Sequence, residues 1–118
     1  MVKLINFLVR KPNMTPAAFR THYENSHVPI ALRTFPQIVE HRRNYPAENG
    51  TFFPTGVAQP WDCVSEIWFA DRRGFDDLMK FMGDPVKSAE VAKDGDLFLD
   101  GAKCGMLLVE ETVTMQKK

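Results

Sequence analysis

Only two cysteines, Cys63 and Cys104, occur among the 118 residues, too few for a disulfide scaffold and best read as free thiols. Together with three scattered histidines they show no metal-ligand spacing, so no metal is expected. An excess of one charge is also missing: Lys plus Arg and Asp plus Glu number 15 each. That balance removes the usual electrostatic footprint of a nucleic-acid or anionic-membrane partner. The short pairs Arg42-Arg43 and Arg72-Arg73 read as solvated faces. No apolar run approaches the roughly 20 residues of a membrane span. Lys3 and Arg10 bracket only a few apolar residues, so no signal-peptide core is expected and the chain reads as cytoplasmic. The glycines never form the strand–Gly-rich loop–helix unit of a dinucleotide site, so no cofactor is expected. Internal repeats and low-complexity segments are absent as well. What remains is a composition ordinary for a folded protein, 44% hydrophobic and 25% charged, over one domain spanning 1–118.

Hydrophobic patterning orders that domain. Lys3 to Arg10 alternates weakly, with Leu4, Asn6 and Leu8 on one side and Ile5, Phe7 and Val9 on the other, as in a strand covered on both faces. After the turn Lys11 to Met14, Thr15-Pro16 opens a helix, because a Thr hydroxyl caps free N–H groups and Pro suits the first helical position. Gln37 to Tyr45 is the most polar strand, with Val39, His41, Arg43 and Tyr45 on one side. Residues 46–60 hold three prolines and Asn49-Gly50 and form a long loop, in which the adjacent Phe52 and Phe53 are expected to pack on something. Asp62 to Ala70 is the clearest strand: Cys63, Ser65, Ile67 and Phe69 alternate with Val64, Glu66 and Trp68. Asp71 caps a helix striped by Phe75, Leu78, Met79 and Met82. Asp84-Pro85 starts a shorter helix to about Lys93, which Asp94-Gly95 is expected to break. Cys104 to Glu111 is the last strand, and 112–118 a loose tail.

Strand, helix, strand, strand, helix, strand is the ferredoxin-like βαββαβ order, an α+β fold with a four-stranded antiparallel sheet. Its two helices cover one face of the sheet only, yet most of these strands are apolar on both faces. Leaving the second face in water is disfavoured at about 25 cal/mol per Å². A second copy is the simplest cover, which predicts a homodimer with its sheets face to face, a dimeric α/β barrel. A cavity is expected near Asn6, His27, His41, Glu66 and Trp68.

The stretch Arg20 to Ile30 carries the chemistry most worth attention. At about 100° per residue Phe19, Tyr23, Ser26 and Ile30 share a face, with His27 on one flank and His22, read as a surface residue, on the other. Pro29 kinks or ends the helix and frees the carbonyl of Asn25, and a bond from His27 to it would settle one imidazole tautomer. Glu66 is either an ion pair with Arg43 or Arg10 or a buried acid.

The segments Arg10-Lys-Pro-Asn-Met-Thr15, Phe19-Arg20, His22-Tyr23 and His27-Val-Pro29 resemble the opening of EthD-like proteins, and Trp61-Asp62, Glu66-Ile-Trp-Phe69 and Asp84-Pro85 to Phe98 continue the likeness. That resemblance spans most of the chain and is weakest at 46–60. It implies the dimeric α/β-barrel superfamily, whose relatives include fungal EthD-domain polyketide dehydratases and decarboxylases and 4-methylmuconolactone methylisomerase. These use neither metal nor organic cofactor. His27 matches the isomerase's helix histidine, His41 stands where its second strand carries an aromatic hydroxyl, and Ile67 stands where its third strand carries a cysteine. Cofactor-free quinone-forming monooxygenases pair a first-strand Asn with a third-strand Trp, a pair that Asn6 and Trp68 resemble.

The function expected is proton-transfer chemistry of lyase, dehydratase or isomerase type on a small cyclic aromatic, lactone or polyketide-like metabolite. His27 would act as base or acid, with His41 or Glu66 as its complement, and Asn6, Tyr23, Tyr45 and Trp68 would hold the ring. The competing expectations are a cofactor-free monooxygenase of phenols or hydroquinones and a non-catalytic small-molecule-binding or stress-response barrel.

Overall fold

In the computed structural model, which describes residues 1–117, strand β1 (Val2–Leu8) leads through a capped turn into helix α1 (Pro16–His22). Thr15 Oγ1 accepts from the amide of Ala18 at 3.1 Å, and Pro16 takes the first helical position. A π-helical turn, Tyr23–His27, joins α1 to α2 (Val28–Thr34). Strands β2 (Ile38–Asn44) and β3 (Cys63–Phe69) follow, then α3 (Arg72–Met82), α4 (Ala89–Phe98) and β4 (Gly105–Val109). All pairings are antiparallel, in the order β2-β3-β1-β4. The fold is the ferredoxin-like α+β sheet with its helices on one face. Among the described residues no helix is long and apolar enough to cross a membrane.

The alternation in β1 and β3 sets the two faces. Leu4, Leu8, Cys63, Ser65, Ile67 and Phe69 are buried beneath the helices. Lys3, Ile5 and Phe7 pair across the sheet with Trp68, Glu66 and Val64, on the face the helices leave open. Two packed clusters form under the helices. One gathers Leu8, Phe19, Tyr23, Val28, Cys63 and Phe98; the other gathers Leu4, Phe35, Ile67, Phe69 and Leu78. Each such side chain contributes about 1.5–3 kcal/mol on burial.

Three local features depart from simple periodicity. First, β2 carries an irregularity between Ile38 and Glu40, which pair with neighbouring residues Phe69 and Trp68. This bulge leaves Val39 exposed and turns Ile38 and His41 to the same side of the sheet, where alternation alone would separate them. Second, the helix after Thr15 does not stop at Pro29. It widens by one residue just before it, with Val28 N–H bonded to the Tyr23 carbonyl. Pro29 lacks the N–H that would hold the α-register there. Third, Asp94-Gly95 does not break the last helix: α4 runs through both to Phe98. Asp84 opens a turn by accepting from the amides of Val86 and Lys87 at 2.9 and 3.1 Å, and the helix itself starts only at Ala89, not at Asp84-Pro85. Asp94 spends its carboxylate on a neighbouring helical segment rather than on its own backbone, which removes its usual helix-breaking competition. Residues 46–60 carry no helix or strand, and Phe52 is 89% exposed.

Candidate functional site

A cavity of about 110 Å³ lies between the two packed clusters, under the helices. Every strand contributes to it: Leu4 and Asn6 from β1, Ile38 and His41 from β2, Ile67 from β3 and Met106 from β4. Tyr23 and His27 close it from the π-helical turn, and Leu78, Met82 and Val91 complete an apolar wall. Larger depressions on the molecule are open grooves, such as those beside the 46–60 loop and at the edge formed by Met1 and Glu111. None of those carries a histidine.

The π-helical turn decides what His27 touches. On a regular α-helix His22 and His27 would stand about 140° apart. One i→i+5 turn brings them nearly into line, and both reach Asp94 of α4. His27 Nδ1 donates to Asp94 Oδ2 at 2.8 Å, and His22 Nε2 lies 3.2 Å from both carboxylate oxygens. Ser26 Oγ donates to Asp94 Oδ1 at 2.7 Å. The tautomer is therefore set by a carboxylate, not by the Asn25 carbonyl that the sequence suggests. His22 is half-buried against Phe98, with ring centroids 4.7 Å apart, rather than a surface residue. Burial raises the Asp94 carboxyl, but the bonds from Ser26, His27 and His22 outweigh it and hold the group below its ordinary value. Burial pushes the His27 imidazole below the usual histidine range, against the bond and the charge of Asp94. His27 is thus neutral at neutral pH, with Nδ1–H on the carboxylate and the Nε2 lone pair unused.

Across the cavity, the Tyr23 hydroxyl lies 2.6 Å from Ser65 Oγ and 3.2 Å from His41 Nε2. Burial raises Tyr23 well above the ordinary phenol value, so it serves as a neutral hydrogen-bonding group. Burial, helped by the Arg43 charge, lowers His41 to about 4. His41 Nδ1 and Asn6 Oδ1 are buried with no protein partner. Buried polar atoms are ordinarily satisfied, so two orphans in one apolar chamber invite a polar ligand.

Tyr45 stands outside this chamber. Its hydroxyl donates to Glu24, which also takes a fork from Arg43 at 2.8 and 2.9 Å. Chiefly that Arg43 fork, against the cost of burial, holds Glu24 near a value of about 2. Arg20 lies over the Tyr45 ring at 4.3 Å. Glu66 and Trp68 project from the opposite face of the sheet. Glu66 pairs with Lys3, not with Arg43 or Arg10, and its bond from Lys3 lowers its carboxyl. Lys3 and Arg42 flank the Trp68 ring at 4.8 and 5.0 Å. Of the seven residues the sequence singles out, Asn6, Tyr23, His27 and His41 meet at one cavity, while Tyr45, Glu66 and Trp68 lie elsewhere.

Asp94, Ser26, Ser65 and His22 join the site without having been singled out. One sequence signal existed for Asp94: it falls on the stripe Val91, Asp94, Phe98, a charge on an otherwise apolar helix face. Among the described residues no group of three His, Cys, Asp or Glu side chains is placed to hold a metal ion.

Solved structures share this architecture at low identity. An ethyl tert-butyl ether d (EthD) family protein of Bacillus halodurans superposes with a TM-score of 0.63 at 24% identity, over 95% of this chain and 99% of its own. A protein of Arabidopsis thaliana reaches 0.66 at 12% identity, over 98% and 100% of the two chains. A Bacteroides fragilis protein, described as dimeric, of unknown function and with a ferredoxin-like fold, reaches 0.56 at 11%, over 93% and 95%. No curated protein matches the sequence. The model of the EthD domain matches residues 11–102, well over half of the chain, and the chain therefore belongs to the EthD family.

Proposed function

We propose that the protein is a cofactor-independent enzyme that moves a proton on a small cyclic carbonyl or enol compound, of lyase, dehydratase or isomerase type. One observation carries this reading: His27, neutral and oriented by Asp94 at 2.8 Å, stands at the wall of an apolar cavity with Nε2 unused. His27 would take a proton beside a carbonyl and return it elsewhere on the same molecule. The orphaned Nδ1 of His41, as its N–H, would donate to the oxygen on which charge develops, the orphaned Oδ1 of Asn6 would accept from a ligand hydroxyl, and Tyr23 would support His41 through Nε2. Glu66 and Trp68 have no part in this version, because they leave the sheet on its other face. The Asn6–Trp68 pair of a monooxygenase-like site is split by the same geometry. A non-catalytic binding barrel would need no oriented base, and His27 held by Asp94 favours the enzyme.

We propose as well that two copies pack with their open sheet faces together. Ile5, Phe7, Val64 and Leu107 lie on that face, and Leu107 is 54% exposed in the single chain. The likeness to a neighbour described as dimeric supports the arrangement.

Proton NMR in deuterated buffer, run with a panel of lactones, cyclic ketones and phenolic ketones, tests the catalytic reading. The wild-type protein should speed deuterium uptake next to the carbonyl of at least one class. His27→Ala should lose about 10²–10⁴ of that rate with its melting temperature nearly unchanged. Binding without any exchange would assign the chain to the non-catalytic class, and oxygen uptake with a hydroquinone would assign it to the monooxygenases.

A further inference from the structure

Asp94 is 7% exposed and lies between two imidazoles. His27, on one side, lines the cavity; His22, on the other, does not, and its side chain is 23% exposed against 14% for His27. Both rings rest on Phe98, at centroid distances of 4.7 and 5.0 Å. The assembly runs from a solvent-side imidazole through a buried carboxylate to a cavity-side imidazole.

We propose that His22 is a positioning residue for His27, acting through Asp94, so that the two imidazoles bind one proton between them and His27 stays a free base toward the cavity. This rests on the reading of His27 as the base. With both rings neutral the triad carries one negative charge, and with one proton added it is neutral. A second proton would leave a net positive charge in a poorly solvated site, where the repulsion is weakly screened. The protons therefore compete. When His27 Nε2 gains a proton as a ligand C–H or O–H breaks, a proton held on His22 leaves its ring N–H for water, and the triad's charge is unchanged. His22 sets how readily His27 accepts a proton without touching the ligand. His27 also faces Tyr23 of the same helical segment, ring centroids 5.9 Å apart, and feels His41 of β2, on which Arg43 and Glu24 act in turn. His41 repels a charged His27 and adds to the same competition.

Histidine-selective nitrogen NMR across pH, on the whole chain without ligand, tests this. In the wild type the His27 signal should titrate over a broadened range, not in the single step of an isolated group. In His22→Gln, which keeps an N–H for Asp94 but cannot carry charge, His27 should titrate in one step with its midpoint raised by about half a unit or more. Identical His27 curves in wild type and His22→Gln, or a single-step His27 curve in the wild type, would overturn the proposal, since a merely structural tie is satisfied by glutamine. If His22→Gln does not fold, the wild-type curves decide alone. Asp94→Asn should uncouple the two rings. Because no turnover is measured, coupled titration without any deuterium exchange would sink only the base assignment. Exchange lost in His27→Ala together with uncoupled titration would sink only the role of His22.

Discussion

His41 and His27 are both half-buried, enough to disfavour the charged imidazole, and this has a consequence for stability. Their folded values lie below the ordinary 6.5, with His41 at about 4. Below pH 6.5 the unfolded chain therefore binds more protons than the folded one, and acid favours unfolding. Stability should be fully present above about 6.5 and fall as pH drops toward about 4, where the His41 contribution ends. Glu24, held at about 2, adds loss in the same direction below its ordinary 4.5. Urea midpoints measured at pH 7, 5.5 and 4.5 should decline in that order, and His41→Gln should flatten the decline. A midpoint constant over that interval would mean that His41 is not neutral in the folded state. At this scale the sequence was legible where a polar group meets an apolar pattern: Asn6 interrupts β1, and His27 flanks the helix stripe that includes Tyr23, whereas His41 lies on the most polar strand and had no such contrast. Asp94 was hidden because Asp-Gly is also a common way to end a helix.

The helical elements are less regular than their patterns. Gly95 sits in the interior of α4, where glycine costs about 1 kcal/mol against alanine. A Cβ there would meet His27 Cε1 and Leu99 Cδ1 at 3.7 Å, ordinary contact, and the backbone needs no positive φ. Gly95→Ala should therefore raise stability by about 0.5–1 kcal/mol, read as a higher urea midpoint. Gly95→Leu has no such room and should push His27 off Asp94, changing its NMR tautomer signature. A destabilised alanine variant would mean that α4 is strained there. The bulge at Ile38–Glu40 and the π-helical turn at Tyr23–His27 were not legible, since each inserts a residue that a strict period cannot register.

For the whole molecule the open sheet face is the deciding feature. Val64 pairs with Phe7 on that face, and Ile5 lies beside Leu107. Val64→Lys should shift sedimentation from dimer toward monomer, or unfold the chain, while a lysine at an exposed helix position such as Asp76 should do neither. A wild-type chain that sediments as a folded monomer at micromolar concentration would remove the proposed assembly.

The order of elements, the two faces of β1 and β3 and the ferredoxin-like sheet followed from sequence periodicity, because burial repeats every two residues on a strand and every three to four on a helix. Which polar residues meet was decided only in three dimensions. His27 and Asp94 are 67 positions apart, and their contact depends on one extra residue in a helical turn and on α4 continuing through Asp94-Gly95. Tertiary packing set both against local preference, and no local signal encodes a contact between segments so distant along the chain.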